Sequence, residues 1–282
     1  MPDSRSPATR REDEFSGGKR PGIRCSANVS FLFPGVALPA ALQAAHDAGF
    51  GTVELFDPYA LAEDELVAIV GQLGLKVDHF NLPMGDFRAG ERGLTGDPRR
   101  ADEFFDGLER ARRLAQLLRP AKVNALAGAR VSSLSISTQL GYLVDQLART
   151  AAVFEPLGTQ VVTELLNPIE TPGFLLSSLG RTRRVLSALG GRIGFQLDVY
   201  QLHRSGADVM AAVRDMSSLT AHVQIADAPL RSEPGSGEIN LPPLLRAIVT
   251  LGYRGMIGLE YSPSRKGVDP FAWMESMGCV RG

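Results

Sequence analysis

The feature that most constrains this chain is an alternation. Short apolar runs of four to seven residues are separated by longer segments with helical periodicity, and the alternation continues almost to the C-terminus. The runs are Ile23–Val29, Thr52–Phe56, Lys76–Phe80, Lys122–Leu126, Gln160–Glu164, Ile193–Val199, His222–Ile225 and Met256–Glu260. They are rich in Val, Ile, Leu and Phe and lack a clean polar–apolar alternation. Parallel strands covered on both faces have this character. The intervening segments Ala37–Ala48, Ala62–Leu73, Pro98–Leu118, Gln139–Leu157, Leu176–Leu189, Ala207–Met216 and Pro242–Leu251 read as helices. Several stop at a glycine (Gly49, Gly74, Gly158, Gly190), the residue that closes a helix in the left-handed conformation without a Cβ penalty. Eight strand–helix units in roughly 250 residues predict an α/β fold, a single (β/α)8 TIM barrel. The rival, a doubly wound open sheet, would carry a glycine-rich phosphate turn after its first strand. The turn here, Asn28 to Gly35, has no such motif.

The organisation is then a tail followed by one domain. Residues 1–21 hold almost no large apolar side chains and are dominated by charge, Ser, Gly and Pro. Such a segment cannot offset its own ordering entropy and is expected to be disordered. The barrel domain is expected to span 22–282. Lys and Arg number 30 against 31 Asp and Glu, a formal net charge of −1, which disfavours a non-specific nucleic-acid binder. The two cysteines, Cys25 and Cys279, form no disulfide framework and no metal-ligand spacing. No apolar run is long enough to span a membrane, and the charged N-terminus does not resemble a secretory signal. A cytoplasmic protein with no membrane partner is expected, with homo-oligomer formation left open.

A TIM barrel works at the C-terminal ends of its strands. The polar residues placed there are Asn28, Glu54 with Asp57, His79 with Asn81, Asn124, Glu164, Asp198, His222 with Gln224, and Glu260. An ionised carboxylate in an apolar strand is costly unless it is paired or binds a metal. Glu164, Asp198 and Glu260 therefore converge on one mouth, and Gln224 adds a neutral oxygen. An all-oxygen set of this kind suits Mg2+ or Mn2+. Glu54 reads equally as a catalytic group or as part of a buried polar network, and His46, on a helix away from the strand ends, reads as structural. The glycine-rich, charged segment from Phe80 to Gly93 reads as an active-site loop.

From Ser26 to Trp273 the sequence resembles the hydroxypyruvate isomerase family of the sugar-phosphate isomerase/epimerase barrels. The motifs are Ser26–Phe33, Asn81–Asp86 with Ala89–Gly93, Asn124–Gly128, Glu164–Pro168, Pro172–Phe174, Asp198–Tyr200, His222–Asp227, Glu233–Asn240 and Gly258–Tyr261. The resemblance implies that Glu164, Asp198, Gln224 and Glu260 bind a divalent metal. Glu164 and Glu260 are implied to act also as the catalytic acid/base pair. It places Asn81, Glu91, Arg92, Gln201, His203, Arg231 and Glu238 at the substrate, with Glu233–Asn240 closing over it. The implied reaction interconverts hydroxypyruvate and tartronate semialdehyde, or related small oxo acids such as 2-oxotetronates. A substrate carboxylate needs a cation, which Arg231 or Arg92 could supply.

The chain departs from the family after strand 6. The usual Asp-x-Tyr-His-x-Gln is here Asp198-Val-Tyr-Gln201-Leu-His203. In an extended segment positions 201 and 203 face the same side, about 6–7 Å apart. The exchange keeps three other readings in play: an isomerase or epimerase for another ketose, inosose or oxo acid, a barrel that binds without turnover, and an endonuclease at abasic DNA. The last is disfavoured by four histidines and a net charge of −1.

Overall fold

A computed structural model describes residues 22–264, 267 and 269–282, so the expected tail lies outside the described residues. The strands are β1 (Ile23–Asn28), β2 (Thr52–Leu55), β3 (Lys76–Asn81), β4 (Lys122–Asn124), β5 (Gln160–Glu164), β6 (Gly194–Asp198), β7 (Thr220–Ile225), β8 (Ile257–Leu259) and β9 (Cys279–Arg281). Strands β1 to β8 pair in sequence order, all parallel, and β1 meets β2 to close the barrel. The helices are α1 (Val29–Leu32), α2 (Leu38–Asp47), α3 (Glu63–Gln72), α4 (Ala101–Leu118), α5 (Ile136–Phe154), α6 (Leu179–Ala188), α7 (Val199–Arg204), α8 (Val209–Met216), α9 (Leu241–Thr250) and α10 (Trp273–Ser276). The eight expected strands and seven expected helices are all present, with ends shifted by a few residues.

The short elements α1, α7, α10 and β9 were not expected, and two of them matter most. First, β9 adds a ninth strand. It pairs with the beginning of β1, Ile23 opposite Cys279, while the end of β1 pairs with β2, Ala27 opposite Val53. Gly282 continues the wedge: its N–H donates to the Cys25 carbonyl and its carbonyl accepts from Gly51. The C-terminus thus fills the gap where β1 and β2 splay at the base of the barrel. Second, 199–204 is a helix, not an extended segment. The Asp198 carboxylate accepts from the backbone N–H groups of Tyr200 and Gln201, capping α7 as soon as β6 ends. Residues two apart on a helix are rotated by about 200°. Gln201 and His203 therefore face different directions.

The outward faces of the strands pack on the helices through a continuous core that includes Leu55, Phe80, Phe154, Phe195, Leu42 and Leu143, all fully buried. The barrel interior is different: it is mostly polar. Glu54, His79, Asn124, Gln196, His222 and Gln224 are buried there together. Among the described residues no helix is long and apolar enough to cross a membrane.

Candidate active site

The mouth is built from strand ends. Glu164 ends β5, Asp198 ends β6, and Glu260 follows β8 directly; all three are buried. Asn124, at the end of β4, uses its amide to hold two neighbours, donating to Glu164 Oε1 at 2.7 Å and to Asn81 Oδ1 at 3.0 Å. Arg231 reaches in from the loop after β7. Its Nη2 lies 3.1 Å from Asp198 Oδ2 and 2.9 Å from Glu260 Oε2.

Charge dominates this arrangement. Burial, then the charge of Asp198, pushes Glu164 up to about 8. Burial likewise raises Asp198 and raises Glu260 well above the usual carboxylate range, although Arg231 pulls both back. Burial acts to lower Arg231, but Glu260 and Asp198 outweigh it and hold the guanidinium charged. When all three acids are ionised, one guanidinium leaves two negative charges uncompensated.

Arg231 is held by an unusual loop. Its φ is +53°, left-handed for a residue with a Cβ, a conformation that costs roughly 1–3 kcal/mol. Two contacts hold it there. The guanidinium packs over the rings of Phe31 and Tyr200, 4.5 and 5.0 Å from their centroids. Asp227 organises the rest of the loop: its two carboxylate oxygens accept from the N–H groups of Ala228, Gly235, Gly237 and Ile239, each at 2.9 Å.

An aromatic wall continues from Phe31. Phe31, Phe56 and Phe87 stack edge to face in sequence, at 5.5 and 5.0 Å. Arg92 caps this wall, its guanidinium 3.7 Å from the Phe87 ring centre. Its Nη1 donates to the carbonyls of Phe87 and Glu91. Burial, then the nearby charge of Arg231, lowers Arg92. Among the described residues Arg92 has no carboxylate partner. The loop that carries it is pinned: Glu91 accepts from the Asp86 N–H at 2.6 Å and pairs with Arg100. A Cβ on Gly93, where φ is +100°, would sit 2.2 Å from the Leu126 carbonyl oxygen, so only glycine fits there.

The expected residues divide as follows. Glu164, Asp198 and Glu260 come together with Arg231, and Arg92 lies within electrostatic reach. Asn81 contributes indirectly, through Asn124. Glu91 is a staple of the loop, and Glu238 is exposed. Gln201 is buried, its Oε1 accepting from both the N–H and the side-chain amide of Asn167, at 2.8 and 2.7 Å. His203 is half-buried on α7 and faces away from Gln201. Gln224 lies one layer deeper than its three carboxylate companions in its contacts: Oε1 accepts from Gln196 at 2.7 Å and Nε2 donates to Glu54 at 2.8 Å.

Beneath the mouth, Glu54, His79 and His222 bring three ligand-type atoms within 4.8 Å of one another. Burial lowers both histidines to about 3, so both rings are neutral. The rings are stacked, 4.7 Å apart and only 9° from parallel. Imidazole lone pairs lie in the ring plane, and two nearly parallel stacked planes do not meet at one ion. The trio in this arrangement is a packed polar layer, with His222 Nε2 3.1 Å from Glu54 Oε1. The even reading of Glu54 thus falls on the network side. Sequence reasoning placed Asp227 and Phe31 within motifs and Phe87 within the active-site loop but gave them no role, and it passed over Phe56, which looks like an ordinary core residue.

The donor set at the mouth fits a divalent cation. Its oxygens are hard, ionisation of all three acids leaves two charges that a dication would neutralise, and the Asn28 and Asn124 side-chain oxygens nearby in the barrel are buried without hydrogen-bond partners.

Comparison with known proteins identifies the family of the barrel. Residues 42–281 match the family model described as xylose isomerase-like TIM barrel. Hydroxypyruvate isomerase of Escherichia coli is 32% identical over 254 residues, covering 90% of this chain and 98% of its own. A 2-oxo-tetronate isomerase of Cupriavidus necator is 32% identical, covering 89% and 97%. A solved structure titled AP endonuclease, family 2, from Brucella melitensis superposes with a TM-score of 0.84 at 30% identity, covering 90% of this chain and 98% of that one.

Proposed function

Since the chain belongs to the xylose isomerase-like TIM-barrel family, we propose that it is a metal-assisted isomerase of small hydroxy-oxo acids, of the hydroxypyruvate isomerase type. The observation that carries the reading is the cluster of Glu164, Asp198 and Glu260, three buried carboxylates served by one guanidinium. Glu164, Asp198, Glu260 and the oxygen of Gln224 would hold Mg2+ or Mn2+. A dication held there would supply Lewis-acid stabilisation of the negative charge that develops on the substrate's oxygens.

The remaining work falls to the chain's own side chains. One of Glu164 and Glu260 takes the proton from the hydroxymethyl carbon, and the other returns a proton to the adjacent former carbonyl carbon. The proton of the hydroxymethyl hydroxyl passes in the same direction, to the former carbonyl oxygen, so a new aldehyde and a new hydroxyl result and the product is an isomer with no net change in redox state. A carboxylate buried enough to favour its proton is matched to this exchange near neutral pH. Asn124 orients Glu164 for it through the 2.7 Å hydrogen bond.

Arg92 is the residue that would receive the substrate carboxylate. Arg231 is already engaged by Asp198 and Glu260, whereas Arg92 presents a fixed guanidinium without a counter-charge among the described residues. An unmatched cation favours an acid over a neutral ketose. The names of the relatives keep 2-oxotetronates as the second candidate substrate. Cleavage of DNA is disfavoured: the mouth is acidic, and the two strand-borne histidines are sealed beneath it.

The test is proton NMR of the purified protein with hydroxypyruvate in D2O, with Mg2+ or Mn2+ and with a chelator control. Metal-dependent formation of tartronate semialdehyde, or deuterium entering the hydroxymethyl carbon, is expected. Glu164→Gln and Glu260→Gln should abolish both. Full activity in either variant would remove the acid/base assignment, and silence toward every small hydroxy-oxo acid would remove the reading.

A further inference from the structure

Glu54 takes no part in the chemistry above, yet it is a fully buried carboxylate in the middle of the barrel. Its course is unusual. Glu54 begins on β2, and its carboxylate crosses in front of β1, where Ser26 Oγ donates to Oε1 at 2.6 Å. It continues over β8, directly above Gly258. A Cβ built on Gly258 would lie 2.3 Å from Glu54 Oε1 and 2.5 Å from Oε2, far inside any real contact. On the far side, Glu54 Oε2 accepts from Gln224 Nε2, on β7, at 2.8 Å. One side chain thus spans four neighbouring strands, and it does so because β8 carries a glycine where it passes.

The contact that results decides which way an amide points. The two ends of a glutamine side chain have nearly the same shape but opposite hydrogen-bonding sense. A carboxylate only accepts, so Glu54 fixes Nε2 of Gln224 on its own side and turns Oε1 the other way. Gln196 Nε2 donates to that oxygen at 2.7 Å and confirms the polarity. A carbonyl oxygen has two acceptor directions, so one remains. Without an acceptor at position 54 the amide would lose this bias, and a flipped amide offers an NH2 group that cannot ligate a cation.

We infer that Glu54, seated in the gap left by Gly258, is a positioning residue: it holds the Gln224 amide with its oxygen available to the divalent cation. The inference rests on the reading of Gln224 as a ligand. It also gives the buried layer beneath the mouth a purpose. Asp78 faces His222 Nδ1 at 3.8 Å and pairs with Lys122 at 3.0 Å, so Glu54 is backed by a charge-balanced floor.

The experiment measures Mn2+ affinity directly, from the loss of the free-ion electron paramagnetic resonance signal, without turnover. Three variants are compared with the parent: Glu54→Met, which leaves no acceptor oxygen at the position, Gly258→Ala and Ser26→Ala, each checked for fold by circular dichroism. Gly258→Ala keeps the carboxylate but displaces it from Gln224. Loss of a partner that orients a ligand in this way weakens metal binding roughly 10- to 100-fold. That loss is expected in Glu54→Met and Gly258→Ala and not in Ser26→Ala, which removes a different bond to the same carboxylate. Parental affinity in a folded Glu54→Met or Gly258→Ala protein overturns the inference and leaves the proposed function standing. Failure of both variants to fold would assign Glu54 to the core alone and overturns it equally. A parent protein that binds no Mn2+ removes the metal reading itself.

Discussion

Two layers of buried charge lie one above the other inside this barrel, and they are resolved differently. In the lower layer Lys122 pairs with Asp78, both histidines are neutral, and Glu54 is held by Ser26 and Gln224. In the upper layer Glu164, Asp198 and Glu260 share Arg231, and Arg92 has no carboxylate partner among the described residues. Burying charge is equally expensive in both places. The lower layer offsets most of that expense internally: Lys122 neutralises Asp78 and two hydrogen bonds hold Glu54, although the ring nitrogens of His79 and His222 are buried without hydrogen-bond partners. The upper layer leaves charge of both signs unmatched, negative at the strand ends and positive on the aromatic wall. A site that leaves such charge uncovered is suited to a dication and an anionic substrate.

The difference can be broken by substitution. The largest effect is expected at the upper acids: Glu260→Gln should lower kcat by about 10³-fold or more, in the upper part of the range for an acid/base group, while circular dichroism stays parental. Next is the lower layer. Lys122→Met strands Asp78 in the interior and should destabilise the protein by about 3–5 kcal/mol in urea unfolding. A Lys122→Met protein of parental stability would dissolve the distinction between the layers. Arg92→Gln should lower kcat/KM for a hydroxy-oxo acid by about 10²-fold, mostly through KM, the size expected for losing a charge-assisted hydrogen bond to the substrate. Arg92→Gln should leave stability nearly unchanged, and an effect equal for acids and neutral ketoses would refute its role.

The smallest effect is a pH dependence of the floor. Burial holds His79 at about 3, against about 6.5 when unfolded. Below pH 6.5 the unfolded chain takes up a proton that the folded one refuses, so stability is complete above that pH and falls as pH falls. For this one histidine the loss between pH 7 and pH 5 is about 2 kcal/mol. His79→Leu should lessen the slope of that part of the curve in thermal unfolding, leaving the share that His222 contributes, and an unaltered slope would place the titration elsewhere.

Much of this was written along the chain. Strands such as Gln160–Glu164 declare themselves because a parallel strand covered on both faces must be apolar until it reaches the mouth, where Glu164 can stand. The same logic singles out Asp198 and Glu260. The helix over 199–204 was missed because the extended reading was carried past Asp198. The signal was present, since an Asp at the end of a strand is also a strong helix cap. The strand at Cys279–Arg281 had no local signal: three residues become a strand only because β1 and β2 splay and leave backbone groups to be paired.

The sequence by itself determined the barrel, its order of elements and the acids at its strand ends, because periodicity and the cost of burying charge are local properties. The tertiary structure alone decided how those charges are shared. Arg231 was engaged and Arg92 left free, and Glu54 was carried over Gly258 to Gln224, by distances between residues far apart in the chain. Electrostatic pairing depends on which groups meet after closure, and no local pattern records that.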